Sequence, residues 1–367
     1  MRTARRQVKA QLDTARPGRQ PPSPLNVRLV EVRKAGFIDA IDPSMYEIVA
    51  RGGPSAADTE ISVVVPTFNR CDLLQDTLKA IMDQDLPSAS YEVLVVDNAS
   101  TDGTTELLRD MADASPVPFT GIRSKRNRGP AISRNVGVLN ARGRIVAFTD
   151  SDCVPTRGWL RCITAAFTEG VGAVQGRTTA HPDQTQPLFN HFIETLEFDG
   201  SYSTSNVAYL REAVVAVGGF DPGCSYWEDV DLGWRVHRAG WRSVFAADAL
   251  VYHQVLRLSA VGWVLNAWRY HVWPAKAARY PEFGSYLFGR LWSDRLHPLF
   301  QAFVLGLVLA AWRRPFLLLT LPYLLFPFRR RLIGRWPLLR ATAHMARDGV
   351  ALAALVAGSI RFRRPVL

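Results

Sequence analysis

The chain has 367 residues, a net charge of +11 and 48% hydrophobic residues. This length exceeds that of a usual single domain, so we expect one sizeable core with additional parts. The four cysteines form neither a Cys-x-x-Cys pair nor a dense framework, which argues against a disulfide scaffold and a structural zinc site. The basic charge favours an anionic partner, such as nucleotide phosphates, nucleic acid or an acidic membrane surface, without choosing among them.

The first 60 residues show no clear pattern of secondary structure. Residues 1–24 are rich in Arg, Gln and Pro and contain no hydrophobic run, so we predict a disordered basic tail. The lack of an apolar core also argues against a secretory signal and favours a cytosolic location for this part. Residues 25–60 break at Arg51-Gly-Gly-Pro54 and are predicted to be a lead-in segment.

Strands and helices are predicted to alternate from residue 61 onwards. Short apolar runs predict strands at 61–66, 91–97, 118–124, 145–149, 171–179 and 206–211, and a further apolar run covers 249–253. Helical spacing predicts helices at 71–83, 104–112 and 131–139. The strand at 118–124 is predicted to lie at an edge. This alternation is typical of an α/β fold with a mostly parallel sheet and helices on both faces.

Polar side chains follow three of these strands at one edge of the predicted sheet. Asn69 follows the first strand, Asp97 and Asp102 follow the second, and Asp150 and Asp152 follow the strand at 145–149. The carboxyl ends of parallel strands form the usual ligand crevice, where two acids could converge on a divalent cation. Spacing alone leaves a plainer alternative, in which these acids cap turns and helices.

Six motifs extend this pattern: Val64–Arg70, Val95–Thr104, Asn127–Asn135, Phe148–Asp152, Gly218–Asp221 and Glu228–Arg235. In this order they resemble the successive signatures of family 2 glycosyltransferases, over roughly residues 61–255, and the chain resembles the bacterial membrane-associated type. The resemblance implies a GT-A fold, which is Rossmann-like, and a nucleotide-diphosphate-sugar donor. It further implies a divalent cation, Mg²⁺ or Mn²⁺, and inversion at the anomeric carbon.

The resemblance also implies roles for individual residues. Donor binding falls to Pro66, Asn69, Asp97, Arg134 and Asp150. Asp97 matches the acid that contacts the base in the family, and Arg134 lies in the segment that commonly faces the diphosphate. Asp152, the second acid of the Asp-x-Asp motif, matches the metal ligand, and His253 matches a histidine that completes the metal site in several inverting relatives. Asn98 departs from the pattern, because many members have an acid there.

A cluster of acids opens a predicted helix at residue 228. Helical spacing places Glu228 and Asp231 on one side and Asp229 on another, so one acid can face the crevice while another pairs with Arg235. Inverting transfer needs a base within hydrogen-bond reach of the acceptor hydroxyl, and by resemblance Asp229 is the candidate base. Glu228, Asp231 and Arg235 are candidates for supporting it. Without the family match, a capping cluster is the alternative.

The composition changes beyond residue 257. Aromatic residues alternate with Arg and His up to residue 292, a mixture that suits a lipid headgroup interface or a wall that stacks on sugars. Pro298–Trp312 and Pro315–Phe328 are apolar, and both are shorter than the roughly 20 residues of a spanning helix. Gly349–Ile360 is a third short apolar run. A membrane hairpin, re-entrant or interfacial helices, and helices packed on a soluble core all fit this pattern.

We therefore predict a GT-A domain at residues 61–257 and a hydrophobic helical region at 258–367 that contacts a membrane. This places the protein at the cytoplasmic face of the cell membrane, as a peripheral or integral protein. The predicted activity is sugar transfer to a hydroxyl of a glycan or lipid-linked acceptor. The alternatives are a nucleotidyltransferase acting on a sugar phosphate and a non-catalytic nucleotide-sugar binding protein. No RRM, KH or helix-turn-helix pattern supports nucleic-acid binding.

Overall fold

A computed structural model of the chain describes residues 36–55, 59–289, 291–292, 295–332 and 336–366. The predicted basic tail, residues 1–24, and the lead-in up to residue 35 lie outside the described residues. The described chain divides into two compact units. The sheet unit contains residues 36–185 and 192–255, and the helical unit contains residues 186–191 and 256–366.

Eleven strands are described. They are β1 (Tyr46–Gly52), β2 (Ile61–Thr67), β3 (Tyr91–Asp97), β4 (Phe119–Ser124), β5 (Ile145–Phe148), β6 (Cys153–Pro155), β7 (Val171–Ala180), β8 (Asn190–His191), β9 (Val207–Leu210), β10 (Arg242–His253) and β11 (Leu256–Arg257). Nine of them form one sheet in the order β1-β4-β3-β2-β5-β9-β7-β10-β6, and β8 and β11 form a separate pair in the helical unit.

The direction of the strands confirms a mixed α/β fold with a mostly parallel sheet. β4, β3, β2 and β5 are parallel neighbours. β9 lies antiparallel between β5 and β7, so β7 and its parallel neighbour β10 run in the same direction as those four. Six of the nine strands therefore share one direction. β1 and β6 are antiparallel to their neighbours and form the two edges.

The helices of the sheet unit are α1 (Cys71–Met82), α2 (Thr104–Asp113), α3 (Pro130–Asn140), α4 (Trp159–Ala165), α5 (Arg211–Ala216) and α6 (Glu228–Arg238). α3 contacts β2 and β3, and α2 contacts β1 and β4. Every residue of β3 is buried, which means that both faces of this strand are covered. Continuous Val and Leu runs are expected in strands of this kind, and β2 has the same composition.

The observed sheet differs from the predicted sheet in three details. The strand at 118–124 was expected at an edge, but β1 pairs with the outer side of β4. β1 itself was not predicted, because only Ala50 of its seven residues is buried and the strand lacks an apolar run. A second strand that was not predicted, β6, has three residues and pairs with the end of β10.

The helical unit contains α7 (Ala260–Leu265), α8 (Trp273–Arg279), α9 (His297–Ala310), α10 (Leu321–Tyr323), α11 (Arg329–Arg331) and α12 (Pro337–Phe362), with 3₁₀ turns at Asn266–Val272, Pro281–Tyr286 and Arg314–Thr320. The apolar run at 315–328 is not a regular α-helix: its hydrogen-bond pattern changes from 3₁₀ to α at Leu321 and to π at Leu324–Phe328, and Pro322 and Pro327 each lack an N–H. Among the described residues, none of the helices combines the length and apolarity that crossing a membrane requires.

Candidate active site

The loop after β5 places Asp152 between two basic side chains. The Asp152 side chain is 3% exposed. The Arg70 guanidinium donates to its Oδ2, and the Nε2 atom of His253 lies 3.7 Å from its Oδ1. His253 reaches this position because it ends β10 directly opposite Cys153, the first residue of β6. Asp152 and His253, which are 101 positions apart in sequence, therefore meet at the end of the sheet.

The donor atoms around Asp152 fit a divalent cation. Ligand atoms of Asp152, Cys153 and His253 all lie within 4.8 Å of one another. Nδ1 of His253 lies 2.7 Å from the carbonyl oxygen of Gln254, and a carbonyl can only accept, so Nδ1 carries the proton. In the neutral ring Nε2 then presents a lone pair to the Asp152 carboxylate. Two acceptors that face each other in this way suit a cation held between them.

Burial governs the protonation of the two neighbouring groups. Burial raises the pKa of the Asp152 carboxyl; His253 and Arg70 oppose this increase, and Asp150 adds to it. Burial also raises the pKa of the Cys153 thiol well above its usual value, and the charges of Asp150 and Asp152 act in the same direction. Cys153 is therefore a protonated thiol, which is a poor nucleophile and a weaker ligand than the carboxylate and imidazole.

Arg134 connects the loop after β5 with the beginning of α6. Its guanidinium donates to Oδ1 of Asp150 over 3.0 Å and to Oε1 of Glu228 over 2.8 Å, and the side chain is only 6% exposed. The ring of Phe220 lies 5.7 Å below the guanidinium. Although burial lowers it, the pKa of Arg134 is raised overall by Asp150, Glu228 and Asp229. Arg134 thus neutralises the acids of two separate segments and holds them side by side.

The acids at the beginning of α6 have distinct surroundings. Asp231 is fully buried and accepts from Arg235 over 2.7 Å, and Arg235 also donates to the carbonyl oxygens of Val217 and Gly219. This pair therefore holds the turn before α6 against the helix. Asp229 is half-buried, and its Oδ1 accepts from the backbone N–H of Val230 over 2.8 Å. Glu228 pairs with Arg134 and Asp231 pairs with Arg235, and Asp229 adds to the negative charge near Arg134.

Asp97 lies at the end of β3 and is fully buried. Its carboxylate accepts from the Arg123 guanidinium over 2.6 Å and from the backbone N–H of Ser100 over 2.9 Å. Arg123 also donates to the carbonyl oxygen of Ser100 and to Thr105. In this structure, Asp97 therefore fixes the loop between β3 and α2. Its predicted contact with the donor base stays a prediction.

Asn69 connects the loops that follow β2 and β3. Its backbone N–H donates to Oγ of Ser100, and its side-chain oxygen accepts from the N–H of Thr101, both over 2.8 Å. Asn69 has a φ of 50°, a left-handed conformation that Asn adopts more readily than most residues. Pro66 is partly buried near the end of β2, opposite Val96. These contacts place the two loops beside one another at the carboxyl edge of the sheet.

Comparison with known proteins identifies the family. A sequence profile described as glycosyl transferase family 2 matches residues 62–220, which include the Asp-x-Asp acids and Arg134. Residues 62–220 therefore form a glycosyl transferase family 2 domain. Curated relatives include glycosyltransferase AglE of Haloferax volcanii, which is 32% identical over 203 residues, or 53% of this chain and 66% of the relative. The uncharacterized glycosyltransferase YfnE of Bacillus subtilis is 27% identical over 53% of this chain and 64% of its own length. The matched segments thus span less than two thirds of these family 2 relatives.

A solved structure supports the fold of the family 2 domain. The mannosyltransferase PcManGT from Pyrobaculum calidifontis, in complex with GDP-Man and Mn²⁺, superposes with a TM-score of 0.60 at 22% identity, covering 85% of this chain and 89% of that chain. The similarity confirms the predicted GT-A fold.

Two residues at this family 2 site were not singled out from the sequence. Arg70 contacts Asp152 and Arg123 contacts Asp97. Arg70 is the last residue of the first motif, so its position next to Asn69 could have indicated that it belongs to the site. Arg123 had no such signal, because it lies in a strand that was expected at an edge. The structure brings Asp150, Glu228 and Arg134 into one cluster, and it places Asp97 in a separate cluster with Arg123.

Proposed function

We propose that the family 2 domain transfers a sugar from a nucleotide-diphosphate-sugar to a hydroxyl of a glycan or lipid-linked acceptor. The transfer inverts the anomeric carbon and uses Mg²⁺ or Mn²⁺. The observation that carries the proposal is the Arg134 bridge between Asp150 and Glu228. Through this bridge, the Asp-x-Asp loop and the acids at the beginning of α6 belong to one site. A binding protein without catalysis has no need for that second set of acids.

On the acceptor side, Asp229 acts as the general base. The match of Asp229 to the base of family 2 glycosyltransferases supports this role, and its neighbours in α6, Glu228 and Asp231, hold Arg134 and Arg235 in place. Asp229 is half-buried at the first turn of the helix. A carboxylate in this position can accept the proton of an acceptor hydroxyl, which then attacks the anomeric carbon from the face opposite the diphosphate. No covalent intermediate with the enzyme is needed.

On the donor side, Asp152 and His253 would hold the cation. When bound, a divalent cation stabilises the negative charge that develops on the leaving diphosphate. The His253 ring is oriented for this by its bond to the Gln254 carbonyl oxygen. Asn69 and Asp97 fix the two loops against which the nucleotide binds. GDP-Man and Mn²⁺ in the complex of PcManGT make GDP-sugars with Mn²⁺ the first donors to test.

The test measures products with purified full-length protein, a panel of GDP- and UDP-sugars, Mn²⁺ or Mg²⁺, and glycan or lipid-linked acceptors. We expect release of nucleoside diphosphate, and proton NMR should show a product whose anomeric configuration is opposite to that of the donor. Release of pyrophosphate from a nucleoside triphosphate and a sugar phosphate would instead establish a nucleotidyltransferase. Binding of a donor without transfer to any of the acceptors would favour a non-catalytic nucleotide-sugar binding protein.

Metal binding is tested separately by calorimetry with Mn²⁺ alone. His253→Ala should weaken the Mn²⁺ affinity about 10-fold or more, because one of the two strong ligands is removed. His181→Ala is the matched control, since His181 lies outside the cluster of possible ligands. Equal Mn²⁺ affinity in both variants would contradict the assignment of His253.

A further inference from the structure

The helical unit exposes an unusually large set of apolar side chains between residues 305 and 326, which we call the 305–326 surface. Trp312 is 75% exposed, Leu318 is 66% exposed, and Val308 and Phe326 are each 65% exposed. The other large apolar side chains exposed in this segment are Leu305, Leu307, Leu317, Leu319, Leu321 and Leu325. Single exposed apolar residues are normal, but a contiguous run of this kind marks an interaction site.

The composition of α9 indicates what kind of environment this segment requires. Apart from Gln301, every residue of α9 after His297 is apolar. A helix that covers the core of a water-soluble protein keeps a polar face towards solvent, whereas a helix that is apolar all round is found in a core or in lipid. Leu305, Leu307 and Val308 of α9 are nevertheless exposed. The surface therefore lacks the polar side that stable contact with water would require.

The sequence segment that contains this surface carries charges of one sign. Between Asp294 and Asp348 the chain has nine arginines and no acidic residue or lysine. Arg331 is used internally, because it donates to Asp348 and Tyr323 over 2.6 and 2.8 Å. Arg313 and Arg314 are exposed and form no ion pair with a described residue. The Arg313 guanidinium lies 5.3 Å from the ring centre of Trp312, so a cation and an amphipathic ring stand together at the end of α9.

We propose that the 305–326 surface docks on an anionic lipid bilayer. Apolar side chains would enter the boundary between headgroups and acyl chains, as in interfacial helices. Arg313 and Arg314 would contact acidic headgroups, and Trp312 would lie at the level where tryptophan is enriched in membranes. Binding to a protein of ordinary composition would require neither a helix that is apolar on all sides nor a long segment without acidic residues. This docking is independent of the proposed sugar transfer.

The test is cosedimentation of the full-length protein with two kinds of vesicle, pure phosphatidylcholine and phosphatidylcholine with about one third phosphatidylglycerol. We expect much stronger binding to the anionic vesicles. The double variant Leu318→Glu/Phe326→Glu should reduce the partition coefficient about 10-fold or more on both kinds of vesicle, because it removes two apolar side chains from the contact. Both side chains are exposed, so the folded structure should be kept.

The arginines give a second, separable effect. Arg313→Gln/Arg314→Gln should reduce binding to the anionic vesicles by about fivefold per arginine and leave binding to neutral vesicles unchanged. The matched controls are Val261→Glu on α7, where Val261 is 69% exposed, and Arg257→Gln in β11, where Arg257 is also exposed. Neither control should change vesicle binding.

Two results would overturn the proposal. The first is vesicle binding that the two double variants leave unchanged. The second is a change of oligomeric state in Leu318→Glu/Phe326→Glu, measured by analytical ultracentrifugation without lipid, together with unchanged vesicle binding. That result would assign the surface to a second copy of the chain. Circular dichroism of every variant identifies any loss of fold.

Discussion

Arginines at the candidate site and arginines of the 305–326 surface, which belong to different units of this protein, have opposite surroundings. In the sheet unit, Arg123, Arg134 and Arg235 are largely buried and each one pairs with a carboxylate at the carboxyl edge of the sheet. In the helical unit, Arg313 and Arg314 are exposed beside apolar side chains and have no acidic partner among the described residues. The three arginines of the sheet unit therefore hold acids of the candidate site in place. The two arginines of the helical unit are available to the lipid surface proposed above.

The largest expected effect is on turnover. Asp229→Asn keeps the size of the side chain and removes the base, so we expect the transfer rate to fall about 1000-fold while the melting temperature stays the same. Asp110→Asn, an exposed acid on α2, is the matched control and should keep full activity. Steady-state kinetics of both variants measure the transfer rates. Comparable rates in the two variants would show that Asp229 is not the base.

The next effect is on stability. Arg134→Met leaves the carboxylates of Asp150 and Glu228 without their shared cation, so we expect the free energy of unfolding to fall by about 3 kcal/mol. Arg70→Met removes an arginine that is 40% exposed and should cost less than about 1 kcal/mol. The double variant Arg134→Met/Glu228→Gln should recover part of the loss. If the two single variants lost the same stability in urea unfolding, the contrast between buried and exposed arginines would fail.

A smaller effect concerns pH and the helical unit. Burial first, and then nearby arginines such as Arg331, lower the pKa of His344 from 6.5 to about 4, with Asp348 opposing. The folded state disfavours protonation, so this stability is complete above pH 6.5 and is lost as the pH falls towards 4. Allowing for solvent screening, we expect a loss of about 1 kcal/mol.

His344→Gln should abolish this part of the pH dependence. Tryptophan fluorescence reports on it, since the ring of Trp263 lies 4.7 Å from His344. An unchanged acid transition in the variant would show that His344 is not its source.

The smallest expected effect is on Mn²⁺ affinity, and it tests whether Asp152 binds a metal ion or only forms an ion pair with Arg70. The Arg70 guanidinium contacts the same carboxylate that would bind the metal. Arg70→Gln should therefore raise the Mn²⁺ affinity of the protein without donor by about fivefold, because a competing positive charge is removed. Calorimetric titration measures this change. Weaker Mn²⁺ binding in the variant would mean that Arg70 supports the site rather than competing with it.

The sequence contained enough information for the core of the fold. β2 and β3 were predicted within one residue, because continuous buried runs of Val and Leu are distinctive and both lie in the middle of the sheet. β1 was missed because an edge strand needs few apolar residues, and β6 because three residues form no pattern. Strand order and the antiparallel position of β9 depend on pairing between distant segments.

The sequence predicted which residues form the candidate site, but not which side chains form ion pairs with one another. Resemblance to the family predicted roles for Asp152 and Asp229, but the sequence did not reveal which carboxylates pair with arginines. That distinction depends on β4, whose Arg123 lies opposite Asp97 across the parallel pair of β3 and β4. It also depends on α3, which directs Arg134 into the space between two acids. Contacts of this kind arise from tertiary packing, which a linear pattern does not encode.

The three-residue strand β6 helps to set the distance between the two candidate metal ligands, Asp152 and His253. His253 is opposite Cys153 in the ladder between β6 and β10, so the separation of Asp152 and His253 is set by backbone pairing. A single residue inserted into β6 would shift the ladder by one position and point the side chains that follow it to the opposite face of the sheet. The spacing of the two candidate ligands is therefore sensitive to a change of one residue in the shortest strand of the nine-stranded sheet.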